Sequence, residues 1–146
     1  MKILVINGPN INMLGIREPE IYGSKTYEEL EEYTKSVGRE LGVEATVFQS
    51  NSEGAIIDCI QDAYGKFDGI VINAAAYTHT SIAILDALRA VKIPAVEVHL
   101  TEPNEREAFR RTSYVGMACV ARFAGLGFEG YRKAMEKLKA FIEEKR

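Results

Sequence analysis

Short runs of Val, Ile and Leu alternate along this chain with longer stretches in which apolar side chains return every three or four positions. The runs lie at 3–7, 44–49, 69–73 and 95–100, with a weaker one at 118–123. Consecutive apolar residues put hydrophobic side chains on both sides of a pleat, so these segments read as strands covered on both faces. The helical pattern predicts helices over residues 26–41, 53–65 and 80–91, a short one at 104–111 and a charged amphipathic one over 127–145. Thr26 with Glu29 and Ser50 with Glu53 have capping-box spacing, in which hydroxyl and carboxylate satisfy the orphan amides of a helix start. Strands alternating with helices imply right-handed crossovers. The expected fold class is α/β, a doubly wound five-stranded parallel sheet of order 2-1-3-4-5, formed by residues 1–146 as one domain.

In such a sheet ligands sit outside the carboxyl ends of the strands, at the switch between strands 1 and 3. The conspicuous polar residues gather on that edge. Strand 1 runs into seventeen residues, Asn7 to Gly23, rich in Gly, Asn and Pro and carrying Arg17 and Tyr22. A βα connection usually takes about two to six residues, so this one reads as a binding loop or, alternatively, as an Ω-loop packed on itself. Strand 3 ends at Asn73 and continues through Tyr77-Thr78-His79-Thr80-Ser81; strand 4 ends at Glu97-Val98-His99-Leu100-Thr101. Both histidines of the chain therefore fall on the expected binding edge.

Composition narrows the partners. The net charge of −3, with acidic and basic residues interspersed, offers no basic face for a phosphate backbone, so no nucleic acid is expected. No apolar segment approaches the roughly 20 residues of a membrane span, and Met1-Lys2 leads straight into a strand, so the expectation is a cytoplasmic protein without a membrane. Cys59 and Cys119 are isolated and read as small core residues. The chain has no GxGxxG, GxxxxGK[ST] or GxSxG, and two histidines with two distant cysteines make no structural zinc pattern.

Glu97 and His99 lie two apart on a strand and share a face, so the carboxylate can orient the imidazole for acid–base work, or the two can form a plain surface ion pair. His79 and Asp86, seven apart, fit one helical stripe, which can also be a solvated face. Arg106 and Arg110, four apart, can clamp a carboxylate or simply point into solvent.

The ordered motifs Asn7-Gly8-Pro9-Asn10-Ile11-Asn12-Met13-Leu14-Gly15, Arg17-Glu18-Pro19, Tyr22-Gly23, Tyr77-Thr78-His79-Thr80-Ser81, Glu97-Val98-His99-Leu100-Thr101, Arg106-Glu107, Phe109-Arg110 and Ser113-Tyr114 closely resemble the type II 3-dehydroquinate dehydratases over nearly the whole chain. Departures are mild: Ala74 stands where the family often has Pro, Thr101 where Ser is common, and Glu102-Pro103-Asn104-Glu105 replaces an Asn-containing connection. The resemblance implies a flavodoxin-like fold and a trans-elimination of water from 3-dehydroquinate to 3-dehydroshikimate through an enolate, with no cofactor and no metal. It implies that Tyr22 is the base that removes the C2 proton, that Arg17 promotes its ionised form, and that His99 protonates the departing hydroxyl. Asn10 would hold a water near the enolate oxygen, and Glu97 would orient His99. Asn73, His79, Asp86 and Arg110 would bind substrate hydroxyls, with the backbone around Leu100 and Thr101 on the carboxylate. Asp86 would reach a neighbouring subunit's site within a homododecamer, a tetramer of trimers.

The physics of such a base is reasonable. A free tyrosine ionises near pH 10, and lowering that by about 2 units takes roughly 3 kcal/mol, which guanidiniums in a partly desolvated site supply. Gly15 and Gly23 flank the Arg17–Tyr22 segment, which would let it close over substrate. Two other classes stay open on the residues: a binding module that cradles flavin or phosphate on backbone amides, and a structural subunit that retains only the fold. The step would serve aromatic biosynthesis or quinate breakdown alike.

Overall fold

In the computed structural model, which describes residues 1–16 and 18–146 except for the side chain of Tyr22, five strands form one parallel sheet of order β2-β1-β3-β4-β5. The strands are β1 (Lys2–Asn7), β2 (Glu44–Gln49), β3 (Gly69–Asn73), β4 (Ala95–His99) and β5 (Ala121–Ala124). The helices are α1 (Pro19–Tyr22), α2 (Tyr27–Leu41), α3 (Glu53–Asp62), α4 (Ile82–Val91) and α5 (Glu129–Lys145). The strand order is the one the alternation of patterns predicts.

Successive residues of the central strands feed two separate cores. Ile3, Val5, Val71, Val96 and Val98 pack with Leu30 and Val37 of α2 and with Met135 and Leu138 of α5. Leu4, Ile6, Ile70 and Ile72 pack with Ile56 and Ile60 of α3 and with Ile84 and Leu88 of α4. This is why β1 and β3 read as unbroken apolar runs: each pleat must be apolar on both sides to seat helices there.

The helix starts are set by hydroxyls. Thr26 Oγ1 accepts from the Glu29 amide at 3.2 Å, as its spacing predicts. For α3 the expected cap Ser50 is corrected to Ser52, whose Oγ accepts from the Ala55 amide at 3.2 Å, while Ser50 Oγ accepts from the Ser52 amide and shapes the turn before it. The third helix ends earlier than its pattern suggests, at Asp62, where the Ala63 amide bonds to both the Cys59 and Ile60 carbonyls and tightens the last turn. The expected helix at 104–111 is two short 3₁₀ turns, Pro103–Glu105 and Ala108–Arg111, because Arg106 is extended between them. The last strand begins three residues later than expected, since Val115–Ala118 forms a 3₁₀ turn closed by the Cys119 amide on the Gly116 carbonyl.

The long connection after β1 is anchored rather than free. Ile11 and Leu14 are each 5% exposed and belong to the α2–α5 core. Asn10 sits in the left-handed region at φ 69°, and its amide donates to Asn51 Oδ1 at 3.0 Å. Both Cys59 and Cys119 are half-buried free thiols against the α3–α4 core, where burial pushes the first up to about 11 and the second to about 12. Among the described residues no helix is long and apolar enough to cross a membrane.

Candidate active site

Sheet register places the polar strand ends side by side. Asn7 pairs with Asn73 across β1 and β3, and Glu97 pairs with Arg122 across β4 and β5. Both asparagines are buried, at 0% and 2% exposure. Buried amides of this kind need internal partners, and Tyr131 of α5 supplies one to each. Its hydroxyl donates to Asn7 Oδ1 at 2.6 Å and accepts from Asn73 Nδ2 at 3.0 Å. Complete burial holds the Tyr131 phenol well above its ordinary value of 10, so it stays a neutral hydrogen-bonding bridge. Asn73 Oδ1 accepts from the Ala75 amide at 3.1 Å. Neither end of the Asn73 side chain is thus without a protein partner.

Above this floor lies a crevice of about 230 Å³, lined by Pro9, Asn10, Ile11, Asn73, Ala75, Ala76, His79, His99, Leu100, Thr101, Pro103, Arg106 and Arg110. It joins residues that the sequence separates by a hundred positions. His99 and Glu97 do share a face, and the surface-ion-pair alternative fails: both are buried, with His99 Nε2 2.6 Å from Glu97 Oε2. A carboxylate only accepts, so Nε2 carries the proton and Nδ1 is the nitrogen not bound to Glu97. Burial by itself raises the Glu97 carboxyl, but the hydrogen bond and charge of His99, the Ser113 hydroxyl and the Arg122 guanidinium outweigh it and hold Glu97 below its ordinary 4.5.

His79 ends a 3₁₀ turn, Ala75–His79, and its Nδ1 donates to the Thr112 carbonyl at 2.7 Å, leaving Nε2 as the other nitrogen. Its ring lies nearly parallel to that of His99, centroids 6.5 Å apart and planes at 14°. Burial lowers the affinity of His79 for a proton, and His99 and Arg110 act in the same direction. A neutral His79 beside the crevice presents hydrogen-bonding groups without adding charge.

The expected Arg106 and Arg110 pair does not share a helix, yet both line the crevice. Arg110 is steadied by donating Nε to Glu107 Oε2 at 2.6 Å. The expected common stripe of His79 and Asp86 is also corrected. Thr80 and Ser81 separate the 3₁₀ turn from α4, and Asp86 is exposed on α4, away from the residues lining its own crevice. Arg17 and the side chain of Tyr22 lie outside the described residues; the backbone of Tyr22 closes α1.

Sequence reasoning singled out neither Tyr131 nor the role of Ser113. Tyr131 carried one weak signal, an aromatic with a hydroxyl on the apolar stripe of a helix that must cross two strands ending in Asn. Ser113 is sixteen residues beyond Glu97 and meets it only through the fold.

Comparison with known proteins identifies the family and matches the fold. The family model described as dehydroquinase class II matches residues 1–139. A 3-dehydroquinate dehydratase of Clostridium perfringens (strain SM101 / Type A) is 55% identical over 146 residues, covering 99% of this chain and 100% of that protein. The crystal structure of a type II dehydroquinase from Butyrivibrio crossotus superposes with a TM-score of 0.93 at 50% identity, over 95% of this chain and 97% of that one. A type II dehydroquinase from Propionibacterium acnes gives 0.91 at 42% identity, over 95% and 96%.

Proposed function

The chain belongs to the class II dehydroquinase family, and on that premise we propose that its crevice converts 3-dehydroquinate to 3-dehydroshikimate by stepwise trans-elimination of water. Tyr22 removes the C2 proton as phenolate, favoured by the Arg17 guanidinium. The carbanion so formed delocalises into the adjacent ketone as an enolate, with a water held by Asn10 near its oxygen. His99 then gives a proton to the departing hydroxyl as the double bond forms, so that one proton and one hydroxide leave as water. His79, Asn73 and Arg110 bind hydroxyls, and the backbone around Leu100 and Thr101 takes the carboxylate. No cofactor enters this scheme.

The buried Glu97–His99 pair, whose imidazole lines the crevice, carries the proposal. A carboxylate that fixes the orientation of an imidazole able to give a proton is what a hydroxyl leaving group requires, since hydroxide itself is a poor one. The two arginines on the crevice wall suit an anionic substrate.

The same reading places the protein in a cytoplasmic closed homo-oligomer, twelve subunits as a tetramer of trimers, in which Asp86 serves a neighbour's site. The outward position of Asp86 supports this, as do Ile82 at the start of α4 and Met117 in the turn packed beside it, 56% and 59% exposed. The pathway is that of aromatic biosynthesis, the shikimate route, or quinate breakdown. Adding 3-dehydroquinate to the purified protein should raise the absorbance of a conjugated enone. A protein that binds 3-dehydroquinate without that rise would refute the proposed activity.

A further inference from the structure

One oxygen of Glu97 receives two short hydrogen bonds. His99 Nε2 and Ser113 Oγ both reach Oε2 at 2.6 Å. Ser113 Oγ in turn accepts from the Gly116 amide at 2.9 Å. A hydroxyl has one proton, and here an amide occupies its acceptor side, so the chain runs from Gly116 to Ser113 to Glu97, with His99 donating from the opposite end. Gly116 has little room to spare. A Cβ there would lie 2.6 Å from Glu97 Oε1 and 2.8 Å from Ser113 Oγ. Both the hydroxyl and the missing Cβ belong to the segment that leads into β5, and neither is supplied by the strand that carries the Glu97–His99 pair.

We propose that Ser113 is a positioning residue for proton delivery by His99, acting through Glu97, with Gly116 aligning its hydroxyl. This rests on the reading of His99 as the acid. The terminal torsion of a carboxylate is soft, so a single donor on a buried carboxylate leaves its rotation loosely determined. Two charge-assisted donors on one oxygen fix it, and through it the imidazole. The Ser113 donor also favours the ionised carboxylate. The other groups around the pair do not duplicate this role. Arg122 of β5 holds Nε 3.8 Å from Oε1 and is drawn off by Glu102, whose Oε1 lies 2.8 Å from its Nη2. His79 faces His99 ring to ring, Arg110 acts on His79, and the Cys119 thiol is kept neutral by burial and by the Glu97 charge.

The test is the pH dependence of steady-state dehydration of 3-dehydroquinate by wild type, Ser113→Ala, Ser113→Thr and His99→Ala. Removing the hydroxyl takes away one of the groups that hold Glu97 ionised, so the acid limb of the kcat profile should move to higher pH in Ser113→Ala. At the optimum, kcat should fall about tenfold with KM changed far less. Ser113→Thr keeps the hydroxyl and should keep the wild-type limb. A purely structural serine would lower the yield of folded enzyme and leave the limb in place, and that result would overturn the inference. A Thr variant shifted as far as the Ala variant would also overturn it, since the donor would not be the cause. His99→Ala separates the two levels of the argument: unimpaired kcat there removes the acid role itself, whereas impaired kcat with an unmoved Ser113→Ala profile removes only the role of Ser113.

Discussion

At the scale of single residues, the chemistry depends on which groups are charged, and the crevice sets this in two opposite ways. Glu97 is kept ionised by donors and cations although wholly buried, while burial biases His79 toward the neutral form. Both groups have folded values depressed below the ordinary ones, 4.5 and 6.5. Each therefore contributes stability that is complete above its ordinary value and is lost as pH falls toward its folded value. From neutral pH downward, the urea midpoint should begin to decline below 6.5 and continue through 4.5 and below as first the His79 and then the Glu97 contribution disappears. A midpoint that rose on acidification through this range would contradict the assignment of both environments. The alternation rule made the shared face of Glu97 and His99 legible from two letters of sequence. The burial of that pair was not legible, because the segment around Ser113 and Gly116, distant in sequence, packs against Glu97.

At the scale of elements, strands were read more accurately than turns, and the reason is physical. Strands β1, β3 and β4 are covered on both faces, so their apolar runs are dictated by the sheet itself. The start of β5 and the turns at 103–111 depend instead on tertiary hydrogen bonds such as Val120 N to Ala95 O at 2.8 Å, which no local pattern encodes. Tyr131 shows the same limit inside a helix. It appears as one more apolar position in α5, yet its hydroxyl ties that helix to the ends of β1 and β3 through Asn7 and Asn73. Tyr131→Phe keeps the ring and leaves two buried amide groups short of a partner, so it should destabilise the fold by about 1–3 kcal/mol. It should also lower activity by loosening the crevice floor. Chemical denaturation checks the first effect; an unchanged midpoint would mean that water or the neighbouring amides replace the hydroxyl.

At the scale of the whole molecule, one sheet edge collects groups from the ends of β1, β3 and β4 and the connections that follow them, which is the service this topology provides. Asp86 does not join them from within its own chain, so a complete site is expected only in the oligomer. Light scattering at assay concentration should give twelve subunits, and a fully active monomer would contradict the shared-site reading. The central claim is that proton removal and hydroxyl loss are divided between two segments, Tyr22 at the end of α1 and His99 at the end of β4. Following deuterium exchange at C2 of 3-dehydroquinate alongside dehydration, in Tyr22→Phe and His99→Ala, tests that division directly. Tyr22→Phe removes one oxygen and little volume, and should lose both exchange and dehydration by on the order of 10²-fold or more. His99→Ala should lose dehydration while retaining much of the exchange. If Tyr22→Phe still exchanged the proton at the wild-type rate, another residue would be the base and the division would be wrong.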